Sequence, residues 1–144
     1  MAATEQQRAA LEQAAAVKAG RARLKDQIHA DATWSLLADI LAGDRDEELA
    51  SARIAGIYVV DLLRAAPGMA AGKAGILLRE VLGVYDGTEA ARLRVGELRP
   101  RDRGALAVGV EVRRRRLDDQ YIARVAAGDR WRTSRNHTPR KAAA

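Results

Sequence analysis

The sequence predicts an all-α protein, and three observations carry that prediction. Apolar residues recur at helical spacing through Thr4–His29, and they do so again on both sides of a break at Pro67-Gly68. Phenylalanine is absent and Trp34, Tyr58, Tyr85, Tyr121 and Trp131 are the whole aromatic content, so a core has to come from Leu, Ile, Val and Ala, which suits closely packed helices. The 144 residues suffice for one modest core with tails, and not for two ordinary domains. The organisation expected is a long N-terminal helix (1–30), a compact helical domain (31–107) and a basic C-terminal extension (108–144).

Thr4–His29 is alanine-rich and free of proline, with Thr4 as an N-cap and Glu5 behind it. At about 100° per residue, Ala10, Ala14, Val17, Leu24 and Ile28 share a face, and Lys18, Arg21 and Lys25 form a stripe beside it. Such a helix extends roughly 37 Å, more than a small core needs. Thr33–Leu41 reads as a second helix with Trp34, Leu37, Ile40 and Leu41 inward and Gly43 at its end. Asp44, Arg45, Asp46, Glu47 and Glu48 lack the ligand spacing of a calcium loop and read as a solvated lead into a short helix, Glu47–Arg53.

A helical pair follows: Val59–Ala66, then a run through Ile76, Leu77, Leu78, Val81 and Leu82. Pro67 stops the first helix because its ring clashes with the preceding turn and it has no N–H; Gly68 can take a positive φ and turn the chain tightly. The second helix starts with its unpaired N–H groups outward, an anion site in waiting. Lys73 in its first turn opposes the helix dipole unless a negative group lies close, which points to phosphate. The plainer alternative is a turn between two helices.

Asp86-Gly87 marks a turn, and Glu89–Arg103 is the densest basic region near the corner, with Arg92 and Arg94 straddling Leu93. Arg103–Val112 closes the domain as a helix, although its valines and Gly109 also suit a strand. The basic run Arg113, Arg114, Arg115 and Arg116 leads into an amphipathic helix, Leu117–Ala127. From Asp129 a disordered arm carries Arg130, Arg132, Arg135, Arg140 and Lys141 around Trp131.

Net charge is +6 and unevenly placed: +2 over residues 1–30, −4 over 31–66, +2 over 67–110 and +6 over 111–144. Cations at both ends and after the corner favour a polyanionic partner, and anionic membrane surfaces also fit a pI near 10.3. The longest apolar run, residues 54–60, is too short to span a bilayer, and no leader pattern opens the chain, so a cytoplasmic location is expected. Enzymatic chemistry finds little footing. Cysteine is absent, and His29 and His137 are isolated. Gly68–Lys73 fails as a phosphate loop because three residues separate the glycines and Ala74 follows the lysine. No cofactor or metal is implied.

The segments LEQAAAVKAGRARLKDQI (Leu11–Ile28), VVDLLRAAPGMAAGKAGILLREVLGV (Val59–Val84) and ARLRVGELRPRDRGAL (Ala91–Leu106) together resemble the actinobacterial, mycobacterial-type integration host factor. The resemblance implies a long N-terminal helix joined to a helix–two-turns–helix domain related to a ribosomal small-subunit protein. It implies binding and bending of double-stranded DNA with little sequence preference, in the nucleoid and in site-specific integration beside an integrase. By position it carries DNA contact onto Pro67, Gly68, Met69, Ala70 and Lys73, onto Arg92 and Arg94, and onto Lys18, Arg21 and Lys25. Departures are Ala70 in place of the hairpin's second glycine, Ala71 in place of a lysine, Ala91 in place of an arginine, and one residue inserted before Leu82. Nothing after about Val108 has a counterpart, and the Arg113–Arg116 run is expected to compensate, as suits a phage-encoded or divergent relative. A monomer is expected, with a dimer on DNA as the variant. Two other readings stay open: an RNA- or ribosome-associated protein using the same helical pair, and a protein-interaction module pairing through the long helix.

Overall fold

The computed structural model describes residues 2–84 and 87–128, and every regular element among them is helical. Helix α1 (Ala2–Ala30) is the long N-terminal helix expected. Only its C-terminal half docks. Leu24 and Ile28 are buried, whereas residues 4–16 are exposed along their whole length, Ala10 and Ala14 included. The expected apolar face is therefore used from Val17 onward, and residues 4–13, about 15 Å of helix, are exposed throughout.

Helix α2 (Ser35–Ala42) starts from Trp34, which takes a left-handed backbone (φ 61°) that costs an L-residue about 1–2 kcal/mol. Asp31 holds it there: its carboxylate accepts from the N–H groups of Thr33 (3.0 Å) and Leu36 (2.8 Å), and its carbonyl from Trp34 N–H (3.2 Å). Gly43 (φ 94°) closes α2 by donating to Ile40. The acidic segment after it does not form the expected helix through Arg53. It winds through turns to a 3₁₀ turn at Ala50–Ala52, because Asp46 is drawn across to Arg103 and only Leu49 and Ala52 offer an apolar face.

Helices α3 (Val59–Ala65) and α4 (Ala71–Leu82) form the predicted pair. Two successive hydrogen-bonded turns join them, Ala66 N–H to Leu63 and Met69 N–H to Ala66, with Gly68 at φ 88° as the sequence requires. Helix α5 (Gly87–Arg92) occupies part of the expected Asp86-Gly87 turn, of which Asp86 lies outside the described residues.

Helix α6 (Pro100–Arg115) settles the helix-or-strand alternative, and it runs unbroken across residues 107 and 108. Its Leu106, Ala107 and Val110 pack into the core against α2 and α4. Arg103 clasps the end of α2, donating to the Ile40 (2.8 Å) and Leu41 (2.9 Å) carbonyls and pairing both carboxylate oxygens of Asp46. Helix α7 (Asp119–Ala126) begins two residues later than the sequence suggests, because Asp118 caps it by accepting from Gln120 N–H. One core unites the elements: Trp34, Leu37, Ile40, Leu41, Leu62, Leu63, Leu77, Leu78 and Leu106 are buried. Each buried Leu or Ile contributes about 1.5–3 kcal/mol relative to exposure.

Candidate nucleic-acid interface

The basic stripe of α1 lies over the 3₁₀ turn at Ala50–Ala52, and the two enclose a groove of about 580 Å³. Lys18, Arg21, Lys25 and Arg53 line it with Ala14, Val17 and Ala22, and none of its lining residues is a carboxylate. Arg21 is the strut of this arrangement. Its Nε donates to the Ala52 carbonyl (2.9 Å) and its Nη2 to the Arg53 carbonyl (3.0 Å), leaving the rest of its N–H fork for a ligand. Lys25 also lines an adjoining shelf of mixed charge, where Asp26 and Asp61 stand beside His29 and Arg64 of α1 and α3. Among the described residues Lys18, Lys25, Arg53 and Arg64 join no ion pair. Cations left unpaired along one track are the footprint that a phosphate chain needs.

The Pro67-Gly68 corner is less open than its sequence suggests. Pro67 and Met69 are buried, and the Pro67 carbonyl accepts from Trp34 Nε1 (2.9 Å). Ile122 of α7, itself fully buried, lies against Gly68, where an added Cβ would run into its Cδ1. Their side chains therefore belong to the core. What remains accessible is the mouth of α4: Ala70 and Gly72 are exposed and Lys73 half-buried in the first turn. No side chain caps this end, and its first backbone bond is Ala74 N–H to Ala70.

The remaining predicted residues divide by what they touch. Arg94 sits on an antiparallel bridge to Tyr58, secured by Val59 N–H to Leu93 (2.8 Å) and Val95 N–H to Ile57 (3.0 Å). Its guanidinium lies 5.0 Å from the Tyr58 ring centre and donates to the hydroxyl (3.2 Å), which raises its pKa above the ordinary value. Arg92 faces a separate shelf with Thr88, Glu89, Leu93 and Glu97, and that shelf holds none of the other predicted residues. Arg113 pairs with Glu80 (3.0 Å), and Arg114 binds the Ala32 carbonyl (2.6 Å) and Asp119 (2.8 Å). Those two brace α6 against its neighbours; Arg115 and Arg116 are exposed. The arm from Asp129 lies outside the described residues.

Sequence reasoning passed over Arg53 and Arg64. Arg64 carried a usable signal, since it stands on the polar face of α3 just after the buried Leu62-Leu63 pair. Arg53 carried none, because its left-handed backbone (φ 49°) shows only in the fold. Among the described residues no His, Cys, Asp and Glu cluster is arranged to hold a metal, and no helix is long and apolar enough to cross a membrane. Comparison with family models, curated proteins and solved structures returns no match for the chain.

Proposed function

We propose that this chain is an architectural double-stranded DNA-binding protein that grips the sugar-phosphate backbone and bends it with little sequence preference. The observation that carries the reading is the carboxylate-free groove of Lys18, Arg21, Lys25 and Arg53, with Arg64 beyond it on a shelf that also holds Asp26 and Asp61. These cations come from α1, the Arg53 turn and α3, three elements fixed by one core, so the spacing is set before any ligand arrives. The mouth of α4, with Gly72 exposed and Lys73 in the first turn, offers a second backbone contact. Arg92, Arg115 and Arg116 add diffuse attraction from other faces. Neither Asn nor Gln lines the groove, so selectivity rests on duplex shape and deformability. A protein of this kind serves the nucleoid and assists a site-specific integrase by presenting bent DNA.

Gel-shift titration of a mixed-sequence duplex across salt concentrations tests the reading. Neutralising about six phosphates gives log affinity a slope of roughly −5 against log salt. A flat salt response ends the proposal, and preferential capture of structured RNA at equal salt transfers the track to an RNA backbone.

A further inference from the structure

Behind the basic groove, and sharing Arg21 and Arg53 with it, lies a second cavity of about 560 Å³. That volume is within the range of small-molecule sites, and its chemistry differs from the groove's. Ile54 and Val95 form an apolar floor, each nearly inaccessible to solvent, and Ala55 continues it. Two arginines in its wall are fixed by backbone carbonyls: Arg21 by Ala52 and Arg53, and Arg103 by Ile40 and Leu41. Gly56 is tight against the first of these, since a Cβ there would approach Arg21 Nη2 to 2.7 Å. Asp46, the one carboxylate in the lining, is already neutralised by Arg103.

At the seam between the two cavities stands Arg53, whose φ of 49° strains an L-residue. It closes the 3₁₀ turn by donating its N–H to the Ala50 carbonyl. Arg53 lines both spaces.

We infer that these paired cavities form a nucleotide site, with an unpaired base in the apolar cavity and its phosphate in the groove. A base is planar and apolar on its faces and stacks on pre-set guanidinium planes; the phosphate matches Lys18, Lys25 and Arg53. The phosphate end rests on the interface reading proposed above, whereas the base end does not. The shared chemistry has two sources, a free nucleotide or an extruded nucleotide in a DNA strand.

The test uses the full chain and follows the Gly56 and Gly96 backbone amides, both of which line the base cavity, by NMR. Adenosine monophosphate is compared with inorganic phosphate, and a flush duplex with one carrying a single unpaired adenosine. Expected are shifts of both amides with the nucleotide or the bulged duplex and not with phosphate. Nucleotide affinity is expected to fall about tenfold in Ala55→Trp, which fills the base cavity, the scale of one stacked base, and to weaken in Arg53→Gly, which removes a cation from the phosphate end. A response to the mononucleotide identifies a free ligand; a response to the bulged duplex alone identifies the strand. If phosphate and nucleotide act alike, or neither amide moves with either probe, the inference is overturned. Unchanged flush-duplex affinity in that case leaves the interface reading standing.

Discussion

The indole Nε1–H of Trp34 donates to the Pro67 carbonyl across 2.9 Å of buried interior, tying the start of α2 to the corner between α3 and α4. Asp31 fixes the backbone of Trp34, Trp34 fixes the carbonyl of Pro67, and Ile122 closes over Gly68. The corner is thus held from two sides, and its geometry does not depend on a ligand.

Trp34→Phe keeps the ring in the core and strands the Pro67 carbonyl. Loss of about 1–3 kcal/mol is expected, read by chemical denaturation, with a helical spectrum unchanged. A stability within experimental error of the parent shows that the carbonyl finds another partner.

Gly68→Ala meets two penalties, a positive φ and the end of the Ile122 side chain. The backbone part costs about 1–2 kcal/mol, and Ile122→Ala should relieve only the steric part. A double-mutant cycle separates them; strict additivity would mean that Gly68 and Ile122 do not touch.

Lys18→Ala combined with Lys25→Ala removes two unpaired cations from the groove. Duplex affinity is expected to fall at low salt and the log–log salt slope to flatten by roughly 2, with stability changed by less than about 0.5 kcal/mol. Arg113→Ala makes the contrast: it breaks the Glu80 pair and its effect should be on unfolding, with the slope kept.

Arg53→Gly replaces a strained L-residue by one that takes positive φ freely. A gain of up to about 1 kcal/mol is expected, seen as a higher melting temperature, together with weaker duplex binding. Falling stability would show that the Arg53 side chain holds the fold.

Acid should loosen the α2 region first. Burial raises the Asp31 pKa, and bonds from Leu36, Thr33 and Ser35 outweigh it, holding the carboxyl below its ordinary 3.8. For Asp46 the Arg103 hydrogen bond lowers it from the same value. A depressed folded pKa means that the folded state binds fewer protons, so both contributions are whole above pH 3.8 and vanish as pH falls through the folded values. Asp31→Asn should flatten the Trp34 fluorescence response below pH 4; an unchanged acid limb would remove Asp31 from that transition.

Periodicity and turn chemistry made α1, α3, α4 and the left-handed Gly68 legible, because those features are local: a proline, a glycine and apolar residues at helical spacing. Pairings across distant parts of the chain were not. Nothing in the run Arg113–Arg116 says that its first two members brace Glu80, Ala32 and Asp119 while the last two face water. Nor does the sequence near Tyr121 reveal that Ile122 covers a glycine more than fifty positions earlier. The α1 stripe was visible as a pattern, but the groove required Arg53, whose approach depends on the turn beneath it.

The free half of α1 has a consequence for dynamics. With residues 4–13 exposed and ahead of the groove that Ala14 begins, backbone bonds and alanine propensity hold those turns, and a segment of that length is marginal alone in water. Amide exchange should therefore slow progressively from Glu5 toward Leu24, so that the protein carries a fraying, extensible end whose ordering can be coupled to whatever settles along its flank.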